Sequence, residues 1–111
     1  MSLVGYKKKT VQVDNREFLV QMVPFDNGNF ISLTEGKEKI GAMVVSIGSG
    51  PSASTVTVIP SKSNSLFLKM VSERVASATN GICIVSINTS KELELEAMKV
   101  IMNEIMEIVK Q

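Results

Sequence analysis

Gly81-Ile82-Cys83-Ile84-Val85-Ser86-Ile87 is the stretch on which the fold turns. Almost wholly apolar and rich in β-branched residues, it reads as a strand covered on both sides at the centre of a sheet. The residues before and after it follow a different period. From Ser65 the apolar positions recur at helical spacing, with Phe67, Leu68, Val71, Val75 and Ala78 on one arc and Lys69, Ser72 and Glu73 away from it. Ser63 and Asn64 are good caps for its start, and Asn80-Gly81 suits a left-handed cap at its end. Beyond the strand, Thr89 and Glu92 have capping-box spacing, which predicts a helix of about 20 residues running to the end of the sequence. Its apolar arc holds Ala97, Met98, Ile101, Met102, Ile105, Met106, Ile108 and Val109.

Upstream, the period is that of strands. Alternating or β-rich runs at 10–13, 18–23, 30–33, 42–47 and 55–59 predict five of them, the second ending where Pro24 removes a ladder donor. Asp14-Asn15-Arg16 supplies one turn. Asp26-Asn27-Gly28-Asn29 is a clearer one, because Asn-Gly accepts the positive φ of a tight hairpin. Gly36 to Gly41 reads as a polar bend, and Gly48-Ser49-Gly50-Pro51 as a loop. The result is a single α+β domain over residues 1–111 with about six mostly antiparallel strands and two helices, in the order β-β-β-β-β-α-β-α. Residues 1–8 are expected to form an N-terminal arm, with Lys7-Lys8-Lys9 solvated.

The composition narrows the chemistry. The 111 residues include no histidine, so the commonest general base and the commonest nitrogen ligand for zinc are missing. Cys83 sits in the most apolar strand with no base to activate it and reads as a small core hydrophobe. Glu92, Glu94 and Glu96 crowd the start of the last helix, where they complement its dipole. Gly48-Ser49-Gly50 precedes a proline and a strand, whereas phosphate loops open a helix. These readings predict no enzyme, no metal and no cofactor. With 12 basic and 11 acidic residues there is no general pull toward nucleic acid or anionic membrane. No apolar run suggests a membrane span, the sequence starts without a signal-peptide pattern, and a cytoplasmic location is expected.

What remains is surplus hydrophobicity. Apolar residues make up 44% of the chain, and the apolar arc of the last helix is wider than packing on one sheet requires. Leu95, Met102 and Met106 lie along one edge of that arc, while Leu66 and Met70 lie outside the main arc of the first helix. These five are the candidate partner contacts. If both helices lie on one face of the sheet, the other face presents residues such as Val44, Leu19 and Val23 and needs cover. Burying five medium apolar side chains contributes roughly 7–15 kcal/mol before ordering costs, so a dimer with itself or a paralogous subunit is expected.

Several phrases in sequence order strengthen that expectation. Phe30-Ile31-Ser32-Leu33-Thr34 followed by Ile40-Gly41-Ala42-Met43-Val44-Val45, then Ser65-Leu66-Phe67-Leu68, then the central strand and a long closing helix, resemble the small proteasome assembly chaperones, in their chaperone 3 and chaperone 4 branch. The resemblance covers residues 30–109. It implies a non-enzymatic, cofactor-free dimeric chaperone that helps assemble the α-ring of the 20S proteasome, with proteasome α-subunits among its partners. The larger branch of that family docks through a hydrophobic-Tyr-any tail, whereas this sequence ends Ile108-Val109-Lys110-Gln111, which favours the smaller branch. Two other classes compete. A dimeric scaffold of roadblock or longin type would place a helix between the second and third strands, and a small-ligand-binding protein would need a deep polar pocket, for instance near Gly48-Ser49-Gly50.

Overall fold

Two tight turns organise the first half of the chain. Asp14, at φ 55°, turns β1 (Lys7–Val13) into β2 (Arg16–Phe25), and Asp26 with Asn27 turns β2 into β3 (Gly28–Glu35). In the computed structural model, which describes residues 5–110, these strands are followed by β4 (Ala42–Ser49), β5 (Ser52–Ile59), α1 (Ser65–Thr79), β6 (Ile82–Asn88) and α2 (Leu95–Lys110). The element order and class are those the sequence predicts. Several strands run longer. Lys7 and Lys8 pair with Met22 and Gln21, so they belong to the sheet and not to an arm; residues 1–4 of the expected arm lie outside the described residues. β2 continues through Pro24 because β1 has ended beside Met22, leaving no ladder bond on that side for a proline to miss. β4 likewise runs on to Ser49, and the expected loop shrinks to a two-residue turn at Gly50-Pro51.

The six strands form one mixed sheet in the order β1-β2-β3-β6-β4-β5. The last strand in sequence thus enters the middle, parallel to β3 and antiparallel to β4, as its apolar composition requires. Its neighbours make room for it with glycine. A Cβ on Gly28 would stand 2.1 Å from the Ile82 carbonyl oxygen, and one on Gly41 would stand 2.1 Å from that of Ile87. Gly28 is therefore needed for close approach. It does not adopt the positive φ that Asn-Gly led one to expect.

Both helices pack on one face. Phe18, Val20, Met22, Ile31, Leu33, Val44, Cys83, Val85 and Ile87 point from the sheet into a core completed by Phe67, Leu68, Val71 and Val75 of α1 and by Ala97, Ile101, Met102 and Ile105 of α2. Val44, expected on the other face, is thus under the helices. Ser72 and Ala78 exchange their expected roles. Ser72 is buried, its hydroxyl bonded to Ser46 at 2.7 Å, whereas Ala78 is exposed. α1 closes on Asn80 in the left-handed conformation, and the Gly81 N–H bonds the Ala76 carbonyl. Where α1 passes over β4, contact is backbone to backbone. A Cβ on Gly48 would fall 2.2 Å from the Ala76 carbonyl oxygen. Replacing Gly48 with alanine is expected to cost about 1–3 kcal/mol, the range of core overpacking, as a lowered urea midpoint with unchanged m-value.

The connection from β6 to α2 departs from its sequence reading. The Thr89 and Glu92 capping box does not form, and α2 begins only at Leu95. Thr89 Oγ1 instead donates to the Lys91 carbonyl and accepts from Asn64 Nδ2, while Asn64 Oδ1 accepts the Leu93 N–H. Asn64 stands at the N-cap of α1 but makes no side-chain capping bond, because its amide ties α1 to this connection. Arg16 completes the clamp. Its guanidinium holds Glu35 through two bonds of 2.9 and 2.7 Å, stacks 5.0 Å from the Phe18 ring centre, and donates to the carbonyls of Lys91 and Glu92. Those carbonyls are then taken from any helix starting earlier. The Arg16 bonds hold the Glu35 carboxyl down at about 2, against the partial burial that opposes them, with the Ser90 N–H adding support. Since this lies below the usual value of 4.5, the contribution of Glu35 to stability is complete above about pH 4.5 and is lost as pH falls toward 2. Glu35→Gln is expected to destabilise the protein by about 1–3 kcal/mol at pH 7 and to flatten the loss of stability between pH 4.5 and 2, measured by urea titration across that range.

Candidate interaction surface

The helices cover one face of the sheet and leave the other to solvent. Strand alternation puts Leu19, Val23 and Phe25 of β2, Phe30 of β3, Ile82 and Ile84 of β6, Met43, Val45 and Ile47 of β4, and Val56 of β5 on this open side, and an exposed Val58 follows at a bulge opposite Met43 and Val44. The register joins them into rows. Val23 faces Phe30, Phe30 faces Ile84, Ile84 faces Val45, and Val45 faces Val56, so five apolar residues from five strands stand in an unbroken line. Ile47 and Ile82 form a second line beside it. Val56 is 66% exposed, Phe25 63% and Ile47 51%. An apolar surface contiguous across five strands is unusual on a monomer and marks a place where another surface belongs.

Its borders are polar. Toward β1 lie Lys8, Thr10, Gln12 and Glu17, and Tyr6 bonds Gln21 through its hydroxyl at 2.6 Å. At the far end of β3 and β6, the connection from Gly36 to Gly41 is tied to this face by Glu38 accepting from Gln21 Nε2 and by the Gly41 N–H donating to Ser86 Oγ. The apolar rows are therefore bounded on these two sides and run out toward β5 and toward the end that carries Phe25 and Ile47.

The five contact residues expected from the helices differ in exposure. Leu66 and Met70 are exposed on α1, and Leu95 is exposed at the start of α2. Met106 is half-buried against the core. Met102 lies in the core itself, because the α2 arc wraps further round toward the sheet than one covered face would need. The larger surface was legible only as a need for cover at Leu19 and Val23. Its continuity depends on strand order, which places Phe30 next to Ile84 and Ile84 next to Val45 although these residues are far apart in sequence.

The remaining candidates are structural. Cys83 is fully buried, and burial pushes its thiol up to about 12, so it is neither exposed nor ionised at neutral pH. At Gly48-Ser49-Gly50, α1 closes directly over Gly48 at the end of β4, while Gly50 is in the exposed turn, where a Cβ would meet nothing within 4 Å, so no deep pocket opens beside either glycine. Among the described residues, no three side chains of His, Cys, Asp or Glu are gathered as a metal site would need. Among the same residues no helix is long and apolar enough to cross a membrane. Labelling of Cys83 by a thiol-specific disulfide reagent is expected to be at least about a hundredfold slower in the native protein than in denaturant; equal rates would show that β6 is accessible.

No protein-family model and no curated protein sequence matches the chain. Solved structures do match. A chain from the crystal structure of a chaperone complex for yeast 20S proteasome assembly superposes with a TM-score of 0.61, over 95% of this chain and 88% of that one, at 11% sequence identity. At that identity the likeness establishes a common fold: a single α+β domain with a six-stranded mixed sheet and two helices.

Proposed function

We propose that this protein is a non-enzymatic, protein-binding chaperone that works as a dimer, of the kind that assists assembly of the 20S proteasome α-ring. The observation that carries the reading is the unbroken apolar row from Val23 to Val56 on the open side of the sheet. The dimer partner is a second copy or a paralogous subunit laid sheet against sheet. The energetics ask for the whole face. Val23, Phe25, Ile47, Val56 and Val58 are between 37% and 66% exposed, so covering them yields about half of their full burial value, roughly 4–8 kcal/mol. That offsets only the lower part of an association cost of about 4–15 kcal/mol. Phe30, Val45, Ile82 and Ile84 must be covered in the same event.

Likeness of fold to a chain of a proteasome assembly chaperone complex supports the chaperone part, as do the phrases from Phe30 to the closing helix. The smaller chaperone 3 and chaperone 4 branch, a cytoplasmic location and α-subunit partners belong to the same proposal. Leu66, Met70, Leu95 and Met106 on the helical side would then be free for a client, with Met102 supporting them from the core. The roadblock or longin reading loses ground, since β2 and β3 are joined by a hairpin and no helix lies between them.

Light scattering at micromolar concentration is expected to give twice the 12.1 kDa chain mass, and Val45→Asp to give the monomer with unchanged circular dichroism. Affinity capture from the native organism is expected to recover proteasome α-subunits. A monomeric wild type together with no α-subunits under gentle conditions would overturn the proposal.

A further inference from the structure

The two edges of the sheet are unlike. β1 carries Lys7, Lys8 and Lys9, and two of these are tied to α2, Lys9 by an ion pair with Glu104 and Lys7 by a bond to the Ile108 carbonyl. Lysines on an edge strand deter further strand pairing. At the opposite edge, β5 reads Ser52-Ala53-Ser54-Thr55-Val56-Thr57-Val58-Ile59, with no charge and no proline inside it. Such a strand presents unpaired N–H and C=O groups with nothing to turn another chain away.

A groove lies alongside it. Between β5 and α1 is a cleft of about 340 Å³ lined by Val44, Thr55, Thr57, Ile59, Leu66, Leu68 and Lys69, with Ser61 and Ser65 at one end. Its β5 wall carries Thr55, Thr57 and Ile59, and its α1 wall carries the exposed Leu66 and Lys69 over the buried Leu68. One turn beyond Lys69, Glu73 accepts a hydrogen bond from Thr55 and closes that end of the groove with a carboxylate. A strand edge next to a helix with a groove between them is the arrangement in which a peptide adds as a further strand and drops alternate side chains into the groove.

We infer that β5 and α1 form a strand-addition site for an extended peptide segment of another protein, with apolar side chains at alternate positions and an acidic one among them. The acidic residue meets Lys69. A second copy of this chain fits less well. Pairing β5 with β5 about a two-fold axis, with the helices of both copies on the same side, would bring Thr55 and Thr57 of the neighbour to the groove. Those short side chains leave the exposed Leu66 uncovered and offer no anion to Lys69. The inference goes beyond the sheet-face dimer and does not depend on it, since β5 and the groove belong to a single chain.

The test uses the full-length protein and an acetylated, amidated octapeptide, Thr-Leu-Thr-Val-Thr-Asp-Thr-Ser. Backbone NMR is expected to show shifts and slowed amide exchange confined to Ser52–Ile59 and to 65–73 of α1. A peptide N-methylated at alternate residues on the bonding edge is expected to produce none. Lys69→Glu should weaken binding roughly 5- to 10-fold and reverse the preference in favour of the same peptide with lysine in place of aspartate. The inference is overturned by the absence of shifts in β5 at millimolar peptide, by undiminished binding of the N-methylated peptide, or by shifts centred on Phe30, Val45 and Ile84. It is also overturned by intermolecular contacts between β5 strands of two copies without peptide. Apart from β5–β5 contacts between copies, these results leave the sheet-face dimer untouched, so the two proposals fail separately.

Discussion

The structure depends on one pairing, the insertion of β6, the last strand in sequence, between β3 and β4. Without β6 the first five strands would be two separate units, a three-stranded meander and a hairpin, each with an inner edge unpaired. β6 bonds to both edges at once, and its alternate side chains Cys83, Val85 and Ile87 supply the centre of the core. The features that look incidental elsewhere serve this insertion. Gly28 and Gly41 let the neighbouring backbone come within reach of Ile82 and Ile87, Gly48 lets α1 lie flat over β4, and Asn64 and Arg16 anchor the connection that leaves β6.

The same insertion builds the open surface. Phe30 and Val45 become neighbours of Ile84 only because β6 lies between their strands, and so a face that is locally mixed becomes continuous across the sheet. With both helices on the opposite side, nothing within residues 5–110 covers it. The core and the open face are thus two sides of one arrangement: what makes β6 central makes its outward residues central as well.

Much of this was legible in the sequence. Alternation found the strands, the change of period found the helices, and the composition of 82–87 found the central strand. Where reading failed, a distant contact had replaced a local preference. Thr89 and Glu92 have capping spacing, but Arg16, remote in sequence, takes the carbonyls of Lys91 and Glu92. Asn27-Gly28 has hairpin chemistry, but Gly28 is there for Ile82. Ser72 looks like a surface residue until Ser46 gives it a buried partner. The open face was inferred as a debt of cover but not drawn, since no local pattern orders strands that are not consecutive. Met102 was misplaced for a related reason: a helical wheel gives an angle, and only the packed sheet says how much of that angle is inside.

The contrast between the two sheet edges has a consequence for how this fold behaves in a crowd of its own copies. Unlimited growth of a sheet needs an acceptor at each end, so that every added unit renews the site it has filled. A strand added at β5 fills that edge, while the three lysines of β1 deter pairing at the other. In the terms of polymer chemistry the chain is biased toward capping and against propagating.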